Sequence, residues 1–126
     1  MFIADTDVLI DFLRGSGEAG RIEIELGTGR LCTTAVTAFE LWAGAKTPRQ
    51  RAVVESLLGA LTILPLDAGS ACRAGEVHRE LVRAGLAVGM ADSLIAAIAL
   101  EHDAILITRS RKHYGRVPGL KLSHQF

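Results

Sequence analysis

The chain has 126 residues, 49% of them apolar and 22% charged, with 14 Lys and Arg balanced by 14 Asp and Glu. That length suits one domain, residues 1–126, able to bury a core without disulfides or a structural metal, and the composition excludes a disordered tail. A neutral total gives no long-range pull on nucleic acid, so any such binding must come from a local basic patch.

The first predicted element is an apolar run, residues 2–4, which ends on Asp5-Thr6-Asp7 and leads into a helix-like stretch, Val8-Leu9-Ile10-Asp11-Phe12-Leu13. In a parallel α/β domain such a corner lies at the carboxyl edge of the sheet, where ligands bind. The acids at 5, 7 and 11 also interrupt the basic start and apolar core of a signal peptide, so none is expected. Residues 18–27 predict a short helix whose acids Glu18, Glu23 and Glu25 form a solvated face. A second strand at 31–34 precedes two helical segments, 34–46 and 49–59, with Gly44 near a helix end and Pro48 as a first-turn proline. The third strand, 61–65, is followed by Asp67 as the cap of a long helix with an apolar stripe through Ala71, Ala74, Val77, Leu81 and Val82, ending near Gly85. A nearly all-apolar helix then opens at Met90-Ala91-Asp92. Its run from 94 to 100 is the longest apolar stretch and far too short to cross a membrane. Residues 104–108 and, more weakly, 120–123 complete the strands.

Strands alternating with helices predict a three-layer α/β/α sandwich around a central, mainly parallel sheet of about five strands. The two helices between the second and third strands break strict alternation. Cys32 and Cys72 lack C-x-x-C spacing and read as reduced and buried, which implies a cytoplasmic chain.

Asp5 follows an all-apolar strand and is drawn into a crevice where an unpaired carboxylate is costly and a cation is the usual remedy. Asp7 reads as a supporting residue or a helix N-cap. Glu40 stands between Phe39 and Leu41-Trp42, uncommon neighbours for an exposed glutamate, although a snorkelling surface acid has the same pattern. Asp92 enters from the rim of the core at the start of a central helix, or caps that helix together with Ser93. After the fourth strand, Thr108-Arg109-Ser110-Arg111-Lys112-His113 combines hydroxyls with cations. Set at the same edge as the acids, Arg109, Arg111 and Lys112 would hold a phosphate backbone while Thr108 and Ser110 orient a metal-bound water; a solvated basic loop is the plainer reading. His78, His102 and His124 lack ligand spacing and read as structural or surface residues.

Three carboxylates without clustered His or Cys define an all-oxygen site for Mg²⁺ or Mn²⁺ rather than zinc. Such a cation activates water and neutralises charge building up on a phosphate, so metal-assisted phosphodiester hydrolysis is the expected reaction.

The residues also resemble a known family. Ile3-Ala4-Asp5-Thr6-Asp7-Val8-Leu9-Ile10, residues 37–44, Asp92-Ser93-Leu94-Ile95-Ala96-Ala97, and Ile105-Leu106-Ile107-Thr108-Arg109-Ser110 with His113-Tyr114 and Val117-Pro118-Gly119-Leu120 are similar, in order, to the four motifs of the PIN-domain ribonucleases. Within them the chain resembles the VapC-type toxins of type II toxin–antitoxin pairs. The resemblance implies that Asp5, Glu40 and Asp92 hold a catalytic Mg²⁺, with Asp7 and Thr6 supporting them, and that RNA is the substrate. It further implies a cognate antitoxin whose C-terminal segment crosses the toxin, and a homodimer. The apolar helix surface around Leu41, Trp42, Leu57 and Leu58 is a candidate contact for that segment, although core packing is the plainer reading of those residues. Ser110 stands where the family usually carries Asp or Asn, so it would act through its hydroxyl or a water.

Two other readings share parts of this pattern. A phosphoacceptor receiver domain would use Asp67 after the third strand, but it leaves Glu40 and Asp92 without roles. An Asp-x-Asp phosphatase would use Asp5 as nucleophile and Asp7 as acid.

Overall fold

The computed structural model describes residues 1–17 and 19–124, so Glu18 of the expected acidic face lies outside it. In chain order the described elements are β1 (Phe2–Ala4), α1 (Thr6–Arg14), α2 (Ala19–Gly27), β2 (Leu31–Thr34), α3 (Ala35–Gly44), α4 (Pro48–Gly59), β3 (Thr62–Leu64), α5 (Ala68–Arg83), α6 (Met90–Glu101), β4 (Ile105–Ile107), α7 (Arg111–Tyr114) and β5 (Lys121–Leu122). Local signals set most boundaries. Asp5 caps α1, and Gly15, at φ 67°, ends it in the left-handed conformation that glycine adopts without strain. Thr47 and Gln50 form a reciprocal capping box around Pro48, the first residue of α4, and the Asp67 carboxylate accepts the Ser70 N–H at 2.8 Å.

The sheet has the order β3-β2-β1-β4-β5, and every pair is parallel. The chain winds from β1 outward through β2 to β3, then returns to lay β4 on the other side of β1. The direction in which successive strands are added across the sheet therefore reverses between β1 and β4, and the crevice at such a reversal is where open α/β sheets bind ligands. Successive residues of each strand face opposite layers. Ile3, Cys32 and Leu106 join Val77, Leu81, Ile95 and Ile98 in one core, while Ala4, Leu31 and Ile107 join Val8, Leu9, Ile22, Leu41 and Val54 in the other. This is the expected three-layer sandwich.

Several expectations change with strand position. The third strand sits at the sheet edge, so Thr62 and Ile63 are exposed and only Leu64 is buried. The stripe of α5 that reaches the core is Ser70, Ala74, Val77 and Leu81; Ala71 and Val82 are each one residue further round the helix and face outward. Cys32 is buried as expected, but Cys72 is exposed on that outward side; both thiols are free. Leu41, Leu57 and Leu58 pack in the second core, Leu41 at the floor of a groove that Leu57 and Leu58 do not line, while Trp42 is partly buried under the Arg51 guanidinium, 4.9 Å from its ring. No helix among the described residues is long and apolar enough to cross a membrane.

Candidate functional site

The hydrogen bond from the Asp5 N–H to the Ile107 carbonyl, 2.9 Å, carries the β1–β4 pairing one residue past the strand and brings Asp5 to the crevice, 4% exposed. By strand alternation its side chain falls on the Ile3 side, toward α6 and α7. There Asp5 Oδ1 accepts the Thr6 N–H at 2.9 Å and stands 3.2 Å from the Tyr114 hydroxyl, and Oδ2 accepts the Thr108 hydroxyl at 2.7 Å. The same Tyr114 hydroxyl lies 3.1 Å from Asp92 Oδ1. Asp92 is in the first turn of α6, whose N-cap is Gly89, so it is not a capping residue. The capping role expected of Asp7 belongs to Asp5.

Glu40 joins through α1. The Thr6 hydroxyl donates to Glu40 Oε1 at 2.7 Å and lies 3.0 Å from the Thr37 hydroxyl, itself buried and next to Thr34. Asp7 organises the loop after β4: it accepts the Ser110 hydroxyl at 3.0 Å, the Arg109 N–H at 3.1 Å and a longer contact from Thr108 at 3.3 Å. Thr6, Asp7, Thr108 and Ser110 thus lie among the acids, as anticipated.

The cations behave differently. The Arg109 Nε is 2.6 Å from Asp11 Oδ2, an ion pair in which the carboxylate is nearly buried and the guanidinium about half exposed. A Cβ on Gly17, at φ 54°, would stand 2.6 Å from that same oxygen, so this turn needs glycine for both space and conformation. The Arg111 guanidinium donates to the Ser123 carbonyl, and Lys112 is exposed. Removing the guanidinium with Arg109→Ala leaves a nearly buried carboxylate unpaired and should cost about 1–2 kcal/mol. Urea unfolding measures this directly, and an unchanged midpoint would exclude a stabilising role for the pair.

Electrostatically the site is strained. Burial pushes the Asp5 carboxyl up to about 7, the neighbouring Asp7 and Asp92 charges push the same way, and the Thr108 and Thr6 donors oppose them. Tyr114 is driven well above the ordinary phenol range, first by burial and then by the charges of Asp5 and Asp92. Among the described residues no three His, Cys, Asp or Glu side chains close into a ready-made metal cage. The donor set nevertheless suits a hard dication: all its ligating atoms are oxygen, and Asp5 carries a burial penalty that a cation would relieve. Tyr114, Thr37 and Asp11 are the participants that sequence reading left without roles. For Tyr114 a signal was available, because it is the chain's single tyrosine and a buried tyrosine hydroxyl nearly always finds a partner.

Asp67 sits beyond the edge strand and spends its carboxylate on capping α5, and the strand order differs from the 2-1-3-4-5 order of receiver domains. Asp7, tied to the 108–110 loop, is equally unlike a free phosphatase acid.

A parallel sandwich with one buried aspartate and further, partly exposed acids at its switch point defines a class, and comparison with known proteins names it. The PIN domain profile matches residues 2–119, and the chain belongs to the PIN-domain family. Its relatives there are VapC ribonucleases. It is 31% identical to the tRNA(fMet)-specific endonuclease VapC of Salmonella typhimurium, over 96% of this chain and 95% of the relative, and 34% identical to Ribonuclease VapC10 of Mycobacterium tuberculosis, over 96% and 91%. Among solved structures, a chain of DNA-bound VapBC from Salmonella typhimurium superposes with a TM-score of 0.87 at 32% identity, covering 97% of this chain and 96% of that one.

Proposed function

We propose that this chain is a divalent-metal-dependent endoribonuclease, the toxin of a type II toxin–antitoxin pair, acting in the cytoplasm. The observation that carries the reading is Asp5, buried at the β1–β4 switch point, raised to about 7 and joined to Asp92 through one hydroxyl. Asp5, Glu40 and Asp92 are the residues that would hold Mg²⁺ or Mn²⁺. Bound there, the cation would supply an activated water and offset the charge that accumulates on the scissile phosphate. The protein's own groups do the rest. Thr108 and Thr6 fix the Asp5 and Glu40 carboxylates, Asp7 and Ser110 hold the loop after β4, and Lys112, exposed beside it, steadies the RNA backbone.

The Salmonella relative's name makes initiator tRNA the first substrate to test. Purified protein freed of antitoxin should cleave it with Mg²⁺ or Mn²⁺, lose that activity in EDTA and recover it when metal is restored. Cleavage indifferent to EDTA would overturn the metal reading.

The VapBC neighbour points to an antitoxin, and a groove of about 430 Å³ between α1, α3 and α4 supports one. Ile10, Leu41 and Val54 give it an apolar floor, and Glu40 stands at its rim, so a segment lying there could direct a basic side chain to the acids. A homodimer is the second assembly we propose, with Phe39 and Met90, 70% and 77% exposed, as apolar side chains for a partner to cover.

A further inference from the structure

Tyr114 is 1% exposed, and its ring belongs to the core that contains Ile3, Ile95 and Leu106. Its hydroxyl leaves that core and ends between Asp5 Oδ1 and Asp92 Oδ1, at 3.2 and 3.1 Å. The two carboxylates come from β1 and α6, far apart in sequence, and no other side chain among the described residues bonds to both. Two negative groups facing one another near a buried floor repel. Asp5 cannot move, being held by Thr6 and Thr108. Asp92 can: its side chain is 30% exposed, it lies in an end turn without a side-chain cap, and the His113 Nδ1 stands 4.0 Å from its other oxygen as an alternative partner.

We propose that Tyr114 is a positioning residue whose hydroxyl tethers Asp92 to Asp5 and so presets the pair for a divalent cation. The proposal rests on the metal-dependent reading above. The tether is neutral and shares its single proton between one oxygen on each side. It also explains why a phenol is worth burying here, since a phenylalanine would fill the same core without any polar atom to satisfy. Groups that orient metal-binding carboxylates act on affinity, because without them the ligands must be reorganised when the cation arrives.

The test is calorimetric titration of Mn²⁺ into metal-stripped wild-type and Tyr114→Phe proteins, with thermal melts in EDTA as a control for folding. The ring is retained, so the variant should fold, and its Mn²⁺ dissociation constant should rise by about tenfold. The metal concentration for half-maximal RNA cleavage should rise by the same factor, with the plateau rate at saturating metal close to wild type. An unchanged or lower dissociation constant overturns the tether, even if the melting midpoint falls, because a purely structural hydroxyl would lower stability alone. Wild-type protein that binds no Mn²⁺ overturns the metal reading itself; wild-type binding matched by the variant overturns only the role of Tyr114.

Discussion

Asp5→Asn should lower RNA cleavage by about a thousandfold or more while leaving the metal-free protein at least as stable as wild type. The two effects have one cause. Asp5 is 4% exposed and its carboxyl is pushed up to about 7 chiefly by burial, so at neutral pH the native state carries a charge it would fold more easily without. Asparagine is isosteric, keeps an oxygen for the Thr6 N–H and is as good an N-cap, so α1 has no reason to fray. What disappears is the negative charge that would hold a dication. Initial rates on RNA at saturating Mg²⁺, set beside urea unfolding in EDTA, separate the two effects. Cleavage within tenfold of wild type would remove Asp5 from the site. A large loss of stability would show instead that its charge is needed for folding.

The second large effect is a pH dependence of stability in EDTA. A carboxyl at about 7 in the native state and near 3.8 when unfolded binds more protons folded than unfolded between those values. Stability from this group is therefore greatest below pH 4 and declines as pH rises toward 7 and beyond. Asp5 alone should make the metal-free protein weaker at pH 8 than at pH 5 by on the order of 2–4 kcal/mol. Asp67 and Asp103 work in the opposite sense, because their carboxyls are held below the ordinary range by Ser70 and by Lys121. Their contribution is present above the unfolded value and is lost only as pH falls through the acid range, so the interval from 5 to 8 reports Asp5. Urea midpoints across that interval should slope downward for wild type and be flatter for Asp5→Asn. Added Mg²⁺ should stabilise wild type more at pH 8 than at pH 5, since only the ionised site attracts it. A wild-type profile as flat as the variant's would contradict the buried-acid picture.

The acids were legible for a local reason. An all-apolar strand that stops on an aspartate and a central apolar helix with an aspartate in its first turn both advertise a carboxylate placed where water is scarce. Glu40 showed itself by its neighbours, although one of them, Phe39, proves to be exposed. Their partners were less legible. Arg109 reads as a phosphate contact because it follows a strand edge beside other cations, yet Asp11, one helical turn beyond Asp7, takes its guanidinium. Nothing short of the packing of α1 against the loop after β4 reveals that pairing.

The sequence by itself determined most strand and helix segments, the corner at Asp5-Thr6-Asp7 and the three acids as candidates, because hydrophobic periodicity, capping and the cost of a buried charge act over a few residues; it read α7 as a loop. Strand order came only with the tertiary structure, since it depends on which long-range pairings bury the most apolar surface together. That order turned β3 into an exposed edge and put β4 beside β1, while the angular setting of α5 left Cys72 in solvent. It also decided which hydroxyl reaches which carboxylate: Thr108 meets Asp5 across the sheet, and Tyr114, given no role from the sequence, meets both Asp5 and Asp92. Hydrogen bonds of that kind require atoms placed within a few tenths of an ångström, and only the packed layers of the fold fix positions so closely.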